Sequence, residues 1–140
     1  MNITDVRVKL VSDRRDKLLG FATITVDDCI VIRDLKVIDG PRGRFVAMPS
    51  RKLSGHCPRC RSKNQLLARF CNDCGARLPS VGAVKDNQRM RLYADIAHPI
   101  HQKGRDEIQR RVLRAYDDEL ARSQEQDYVP QRFEGLDYDL

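Results

Sequence analysis

Val26-Asp27-Asp28-Cys29-Ile30-Val31-Ile32-Arg33-Asp34-Leu35-Lys36-Val37-Ile38-Asp39-Gly40-Pro41-Arg42-Gly43 decides the fold. Its middle, Cys29 to Ile38, is rich in β-branched residues and apolar on both faces at several positions, which predicts an interior strand. Asp27-Asp28 reads as a tight two-residue reversal before it, and Asp39 to Gly43 as a turn after it. Working outward, Leu18 to Val26 is the preceding strand, with Ala22, Ile24 and Val26 on one side at its end. Val6, Val8 and Leu10 alternate with Asp5, Arg7 and Lys9, the period of two that marks a half-buried strand. Ser12 to Asp16 is a polar turn between those two strands. Arg44 to Met48 is a short fourth strand, ended by Pro49. The expectation is an antiparallel meander with short loops.

Beyond it the pattern breaks around Cys57-Pro-Arg-Cys60 and Cys71-Asn-Asp-Cys74, with ten residues between the pairs. A CxxC turn points two sulfurs the same way, and two such turns can close four ligands around one tetrahedral zinc. Gly75 after the second pair can take positive φ and turn backbone N–H groups toward a sulfur. Four thiolates fill the coordination shell, which implies a structural Zn²⁺ held by Cys57, Cys60, Cys71 and Cys74 rather than a catalytic one. A disulfide framework would suit a secreted chain, yet residues 1–12 alternate apolar and charged with no apolar h-region. A redox CxxC would occur once, between a strand and a helix. His56 is a conceivable alternative ligand, but four sulfurs suffice. Cys29 reads as a small buried apolar residue of the strand.

After this segment Arg91 to Ile96 reads as extended, and Pro99 disfavours helix at His98. From about Lys103 the period becomes helical, with Ile108, Val112, Leu113, Tyr116 and Leu120 on one stripe. One amphipathic helix can cover one face of a small sheet, so the fold class is α+β with an inserted zinc ribbon. The expected organisation is the first part of the domain over 1–53, the ribbon over 54–87, the closing strand and helix over 88–122, and an acidic tail over 123–140. That tail is expected either to move freely or to dock through Tyr128, Phe133 and Tyr138.

The 140 residues carry a formal charge of +6. Arg51 to Arg91 holds ten Lys/Arg against two acids, net +8, so the remainder carries −2. Asp117 to Leu140 is net −6, from eight acids and two arginines. A basic segment calls for a polyanion, while the acidic tail could repel one or cover that segment. No run of about 18 apolar residues exists, so no membrane span is expected. No phosphate-cradling glycine loop and no nucleophile elbow are present, which weighs against an enzyme.

The residues also carry a resemblance. Val26 to Gly40 looks like the central strand and turn of the SpoVG family (stage V sporulation protein G, septation regulator). Phe45-Val46-Ala47-Met48-Pro49-Ser50-Arg51-Lys52 resembles its next signature, and Asp95-Ile96-Ala97-His98-Pro99-Ile100 its third. The helix with Ile108, Gln109, Val112 and Leu113 follows at the family's distance. The resemblance covers about 1–52 and 91–120. It implies a small α+β fold, a homodimer, and a bacterial regulator that binds DNA or RNA without enzymatic activity; reduced, metal-bound cysteines and the missing signal point to the cytoplasm. It departs from the family where a zinc ribbon replaces a short loop. By that resemblance the helix start, His101 to Glu107, is a DNA-contact region, with Lys103 and Arg105 able to meet phosphates. Asp106 and Glu107 there favour the helix dipole. The ribbon adds Arg59, Arg61, Lys63, Arg69 and Arg77, and Arg51 and Lys52 lie at the strand exit. Phe70 is either a stacking residue or, more commonly beside a zinc knuckle, the ribbon's mini-core. His98 is expected to pack or hydrogen-bond near the sheet–helix junction. Two rivals to a nucleic-acid regulator stand: an adaptor whose ribbon docks a protein partner, and a thiol redox sensor.

Overall fold

In the computed structural model, residues 1–12, 17–79 and 92–131 are described. The chain divides into two compact units, one of Met1–Pro49 with Ala97–Leu140 and one of Ser50–Ile96. The first is an α+β unit. Its strands β1 (Ile3–Leu10), β2 (Leu18–Val26), β3 (Ile30–Gly40) and β4 (Gly43–Ala47) form one antiparallel sheet in the order β1-β2-β3-β4. The meander and the interior place of β3 are as the sequence predicts. Asp27 and Asp28 both take positive φ, 52° and 53°, and the Cys29 N–H closes the turn on the Val26 carbonyl at 3.1 Å. This mirror-image turn matches strand twist, and aspartate tolerates the left-handed region better than most residues. The predicted turn at 12–16 falls mostly on residues 13–16, outside the described residues.

Of the three register shifts in the sheet, two set which side chains reach the core. The β1–β2 register shifts between Ile3 and Asp5, so Ile3 joins Val8 in the core despite its opposite parity. The β2–β3 register shifts between Ala22 and Ile24, opposite Asp34 with φ 61°, so Ile32 and Leu35 both pack against the core. An extra residue in one strand re-aims everything beyond it.

Helix α1 (Gln102–Arg122) lays Ile108, Val112 and Tyr116 on Ile3, Val8, Ala22, Ile24, Leu35, Val37 and Val46. Leu113 and Leu120, the rest of the predicted stripe, are partly buried against the same core. His101 caps the helix: its Nδ1 accepts the Gly104 N–H at 2.9 Å. Arg44 of β4 grips Asp117 through both guanidinium nitrogens and lies 5.3 Å from the Tyr116 ring.

The chain past the helix docks as far as it is described. Tyr128 donates its hydroxyl to Glu119 at 2.6 Å, and Arg122 binds Glu119 and the Val129 carbonyl. Gln131 accepts the Val8 N–H at 2.8 Å, at the outer margin of β1. Of the three tail aromatics Tyr128 thus makes the contact, while Phe133 and Tyr138 lie outside the described residues. Cys29 is exposed, against the expectation of burial. It ends the tight turn, where the chain reverses at the surface, instead of lying within the covered part of β3.

The second unit holds two short antiparallel strand pairs, of which one joins consecutive strands. Strand β5 (Ser50–Lys52) pairs with β8 (Tyr93–Asp95), and β6 (Ser54–His56) with β7 (Lys63–Gln65). The extended segment predicted over 91–96 is thus β8, with Arg91 outside the described residues. A bridge joins Phe70 to Arg77.

Candidate metal centre

Each CxxC pair folds into a knuckle with the same backbone plan. In the first, the Arg61 N–H binds the Cys57 carbonyl at 2.8 Å and the Cys57 N–H binds the Ser62 carbonyl at 2.9 Å. In the second, Gly75 N–H meets the Cys71 carbonyl at 3.1 Å and Cys71 N–H the Ala76 carbonyl at 2.8 Å. The residue after each second cysteine is left-handed, Arg61 at φ 64° and Gly75 at φ 75°. Backbone N–H groups within each pair point at the first sulfur. Cys57 Sγ accepts from Arg59 at 3.4 Å, and Cys71 Sγ from Asp73 at 3.4 Å and Cys74 at 3.5 Å.

The four Sγ atoms lie within 4.8 Å of one another, with Cys57–Cys74 at 3.7 Å and Cys60–Cys71 at 3.5 Å. A tetrahedral zinc with bonds of about 2.3 Å needs sulfurs about 3.8 Å apart, so the set fits such an ion. These four residues could hold a metal ion, and His56, exposed on β6, is not among them. The thiols are poised unequally. N–H groups of Cys74 and Asp73 hold Cys71 down to about 6. N–H groups of Cys60 and Arg59 lower Cys57. Cys74 is favoured as thiolate by the Ala76 N–H, yet desolvation and the neighbouring sulfurs together push it up to about 11. A divalent cation relieves that crowding of negative charge.

Asn64 ties the knuckles together and is invisible to motif reading. It is 6% exposed; its Nδ2 donates to the Ser62 carbonyl at 3.1 Å and to Cys71 Sγ at 3.5 Å, and its Oδ1 accepts the Asn72 N–H at 2.8 Å. Ser62 adds a hydroxyl bond to Asp73 at 2.8 Å. No signal in the sequence singles out Asn64, since its neighbours in β7, Lys63 and Gln65, are polar as well.

Arg51, Lys52, Arg59, Arg61, Lys63, Arg69 and Arg77 all lie in this unit and all are exposed. Among the described residues none of the seven is bridged to a carboxylate. Three further cations of the basic segment, Lys85, Arg89 and Arg91, lie outside the described residues. Lys103 and Arg105 are exposed at the start of α1, in the other unit. Asp106 and Glu107 fall beyond the first turn, which holds no acid, so the dipole role expected of them is weak. Asp106 instead accepts Gln102 Nε2 at 2.7 Å. Phe70 is 62% exposed and builds no mini-core, because the buried volume between the knuckles is taken by sulfur and Asn64. His98 is exposed, with Nδ1 3.1 Å from the Pro99 carbonyl, and does not pack.

The sequence model of the family described as SpoVG matches residues 1–118, a span that runs through both cysteine pairs. The chain belongs to the SpoVG family. Among similar proteins, one named "Putative septation protein SpoVG" from Lachnospira eligens is 37% identical over 117 residues, covering 84% of this chain and 92% of that protein. A namesake from Myxococcus xanthus is 37% identical over 124 residues, 89% of this chain and 88% of that protein. One from Finegoldia magna is 34% identical over 138 residues, 98% of this chain and 94% of its own. Among the described residues no helix is long and apolar enough to cross a membrane.

Proposed function

We propose that this SpoVG-family chain is a cytoplasmic nucleic-acid-binding regulator, acting by binding alone, with a zinc-stiffened basic module added to the family domain. The observation that carries the reading is the set of seven exposed cations in the unit that holds the cysteine cluster. A bound zinc would supply a rigid four-way cross-link and no open position for chemistry. The chain's own residues then do the binding: Arg51, Lys52, Arg59, Arg61, Lys63, Arg69 and Arg77 offer charge to phosphates, and Lys103 and Arg105 offer a second set at the helix start. The sheet–helix unit would dimerise, so that two basic modules act on one polymer.

The test is binding of random duplex DNA and RNA across a salt series, with and without zinc, beside elemental analysis. The expectation is one zinc per chain and an affinity that falls steeply with salt, because each neutralised phosphate releases counterions. Protein that carries zinc yet binds neither polymer at low salt would end the reading. A second reading, an adaptor that docks a protein partner, draws on the exposed Leu67 and Phe70. It predicts polyanion binding that survives chelation and Arg-to-Glu changes in the Ser50–Ile96 unit.

A further inference from the structure

We infer that the Ser50–Ile96 unit takes single-stranded rather than duplex nucleic acid, by stacking unpaired bases on Phe70 and Tyr93. This rests on the nucleic-acid reading above and specifies the form of polymer. Both rings are held at the surface, Phe70 at 62% and Tyr93 at 52% exposure. Each sits in antiparallel register directly opposite a cation, Phe70 across from Arg77 and Tyr93 across from Lys52. Side chains paired in this way have Cβ atoms about 5 Å apart. A base lying on the ring therefore has its own phosphate within reach of the opposite cation.

The two pairs repeat one device at two places in the unit. Beside Tyr93 and Lys52 a shallow groove of about 70 Å³ is walled by Leu53, Leu66, Leu67 and Leu92, with Gln65 as its other polar member. An apolar groove next to a ring and a cation suits a flat heterocycle joined to an anion. A duplex keeps its base faces stacked on one another and can use only the cations. A single strand can use both, and each base stacked on an aromatic ring is worth about 5- to 100-fold in affinity. Nearby charge favours this polymer over a protein partner. Lys52, Arg69 and Arg77 stand beside the rings, and the unit's seven exposed cations outnumber its two described acids, Asp73 and Asp95.

The experiment uses the full-length, metal-loaded chain and fluorescence anisotropy at one fixed salt. The probes are a labelled 12-nucleotide DNA strand, the RNA strand of matching sequence, and the DNA duplex. The single strands should bind more tightly, and whichever of the two is tighter gives the sugar preference. Phe70→Leu and Tyr93→Leu should each weaken single-strand binding about tenfold and leave duplex binding unchanged. Phe70→Trp places a sole tryptophan in a chain that has none. Its emission should be quenched by the single strand and not by the duplex, a signal that a change in folding would not give. Equal or tighter duplex binding, leucine variants that match the parent and an unquenched indole in the Phe70→Trp protein would overturn the inference while leaving nucleic-acid binding in place. Failure of all three probes to bind at low salt would overturn both, and would leave the rings to a protein contact.

Discussion

Arg61 and Gly75 hold equivalent posts in the two knuckles, and only one is filled by the residue the conformation favours. A side chain in the left-handed region costs about 1–2 kcal/mol, offset in part by the greater freedom of glycine in the unfolded chain. Gly75→Ala should therefore destabilise the Ser50–Ile96 unit by about 1 kcal/mol, through φ alone, since a Cβ there meets nothing within 4 Å. Arg61→Gly should be neutral or stabilising by less than about 1 kcal/mol. Thermal melts of the metal-loaded variants decide both. Asn64→Ala removes a buried amide, strands the Asn72 N–H and takes a donor from Cys71 Sγ, while the Ser62 carbonyl keeps the Cys57 N–H. A loss of about 1–3 kcal/mol is expected, read as easier capture of the metal by a competing chelator. The four cysteines that could hold a metal ion are legible in the sequence, because coordination geometry constrains the spacing of such a set directly. Asn64 is not, because its importance arises only once two distant knuckles meet. Cys29 and Phe70 mislead for a related reason: both residue types are commonly buried, but a turn end and a sulfur-filled interior leave them outside.

Strand periodicity carries the sheet, because alternation survives in Val6, Val8 and Leu10 and again in Ala22 and Ile24. The bulges are not legible, since an extra residue simply swaps the phase of an alternation that reads well on either side. Leu35, fully buried just past the Asp34 bulge, tests this element. Leu35→Ala should cost about 2–5 kcal/mol, seen as a lower urea midpoint for the sheet–helix unit. The docking of Tyr128 on α1 is only one of the two fates that an acidic, aromatic-bearing tail allows. Burial and the Glu119 carboxylate raise the Tyr128 phenol above its ordinary value of about 10. A folded pKa above the unfolded one gives stability that is whole below about pH 10 and is lost as pH climbs through the raised value. Tyrosinate absorbance should show one late-titrating phenol, absent in Tyr128→Phe. Titration of all phenols together would contradict the buried contact.

At the scale of the whole molecule, two units that fold around different things should fail separately. One is built on an apolar core shared by a sheet and a helix, the other on four sulfurs and two short strand pairs. Chelation should therefore abolish the transition of Ser50–Ile96 and leave the sheet–helix unit melting as before. Circular dichroism with a tryptic digest distinguishes this from a single collapse, since cuts should concentrate at the arginines between 51 and 91. The α+β class is legible because each part announces itself by a different period or spacing. The bounds of the second unit are less so: β5 and β8 are three residues each, too short for periodicity to mark. The Gln131 amide occupies a backbone donor on the outermost strand. Such a rim, if bare, is a template on which further copies can add strand upon strand. A chain cut after Arg122 would keep its core yet lose that stopper, and its hazard would be fibre growth rather than unfolding.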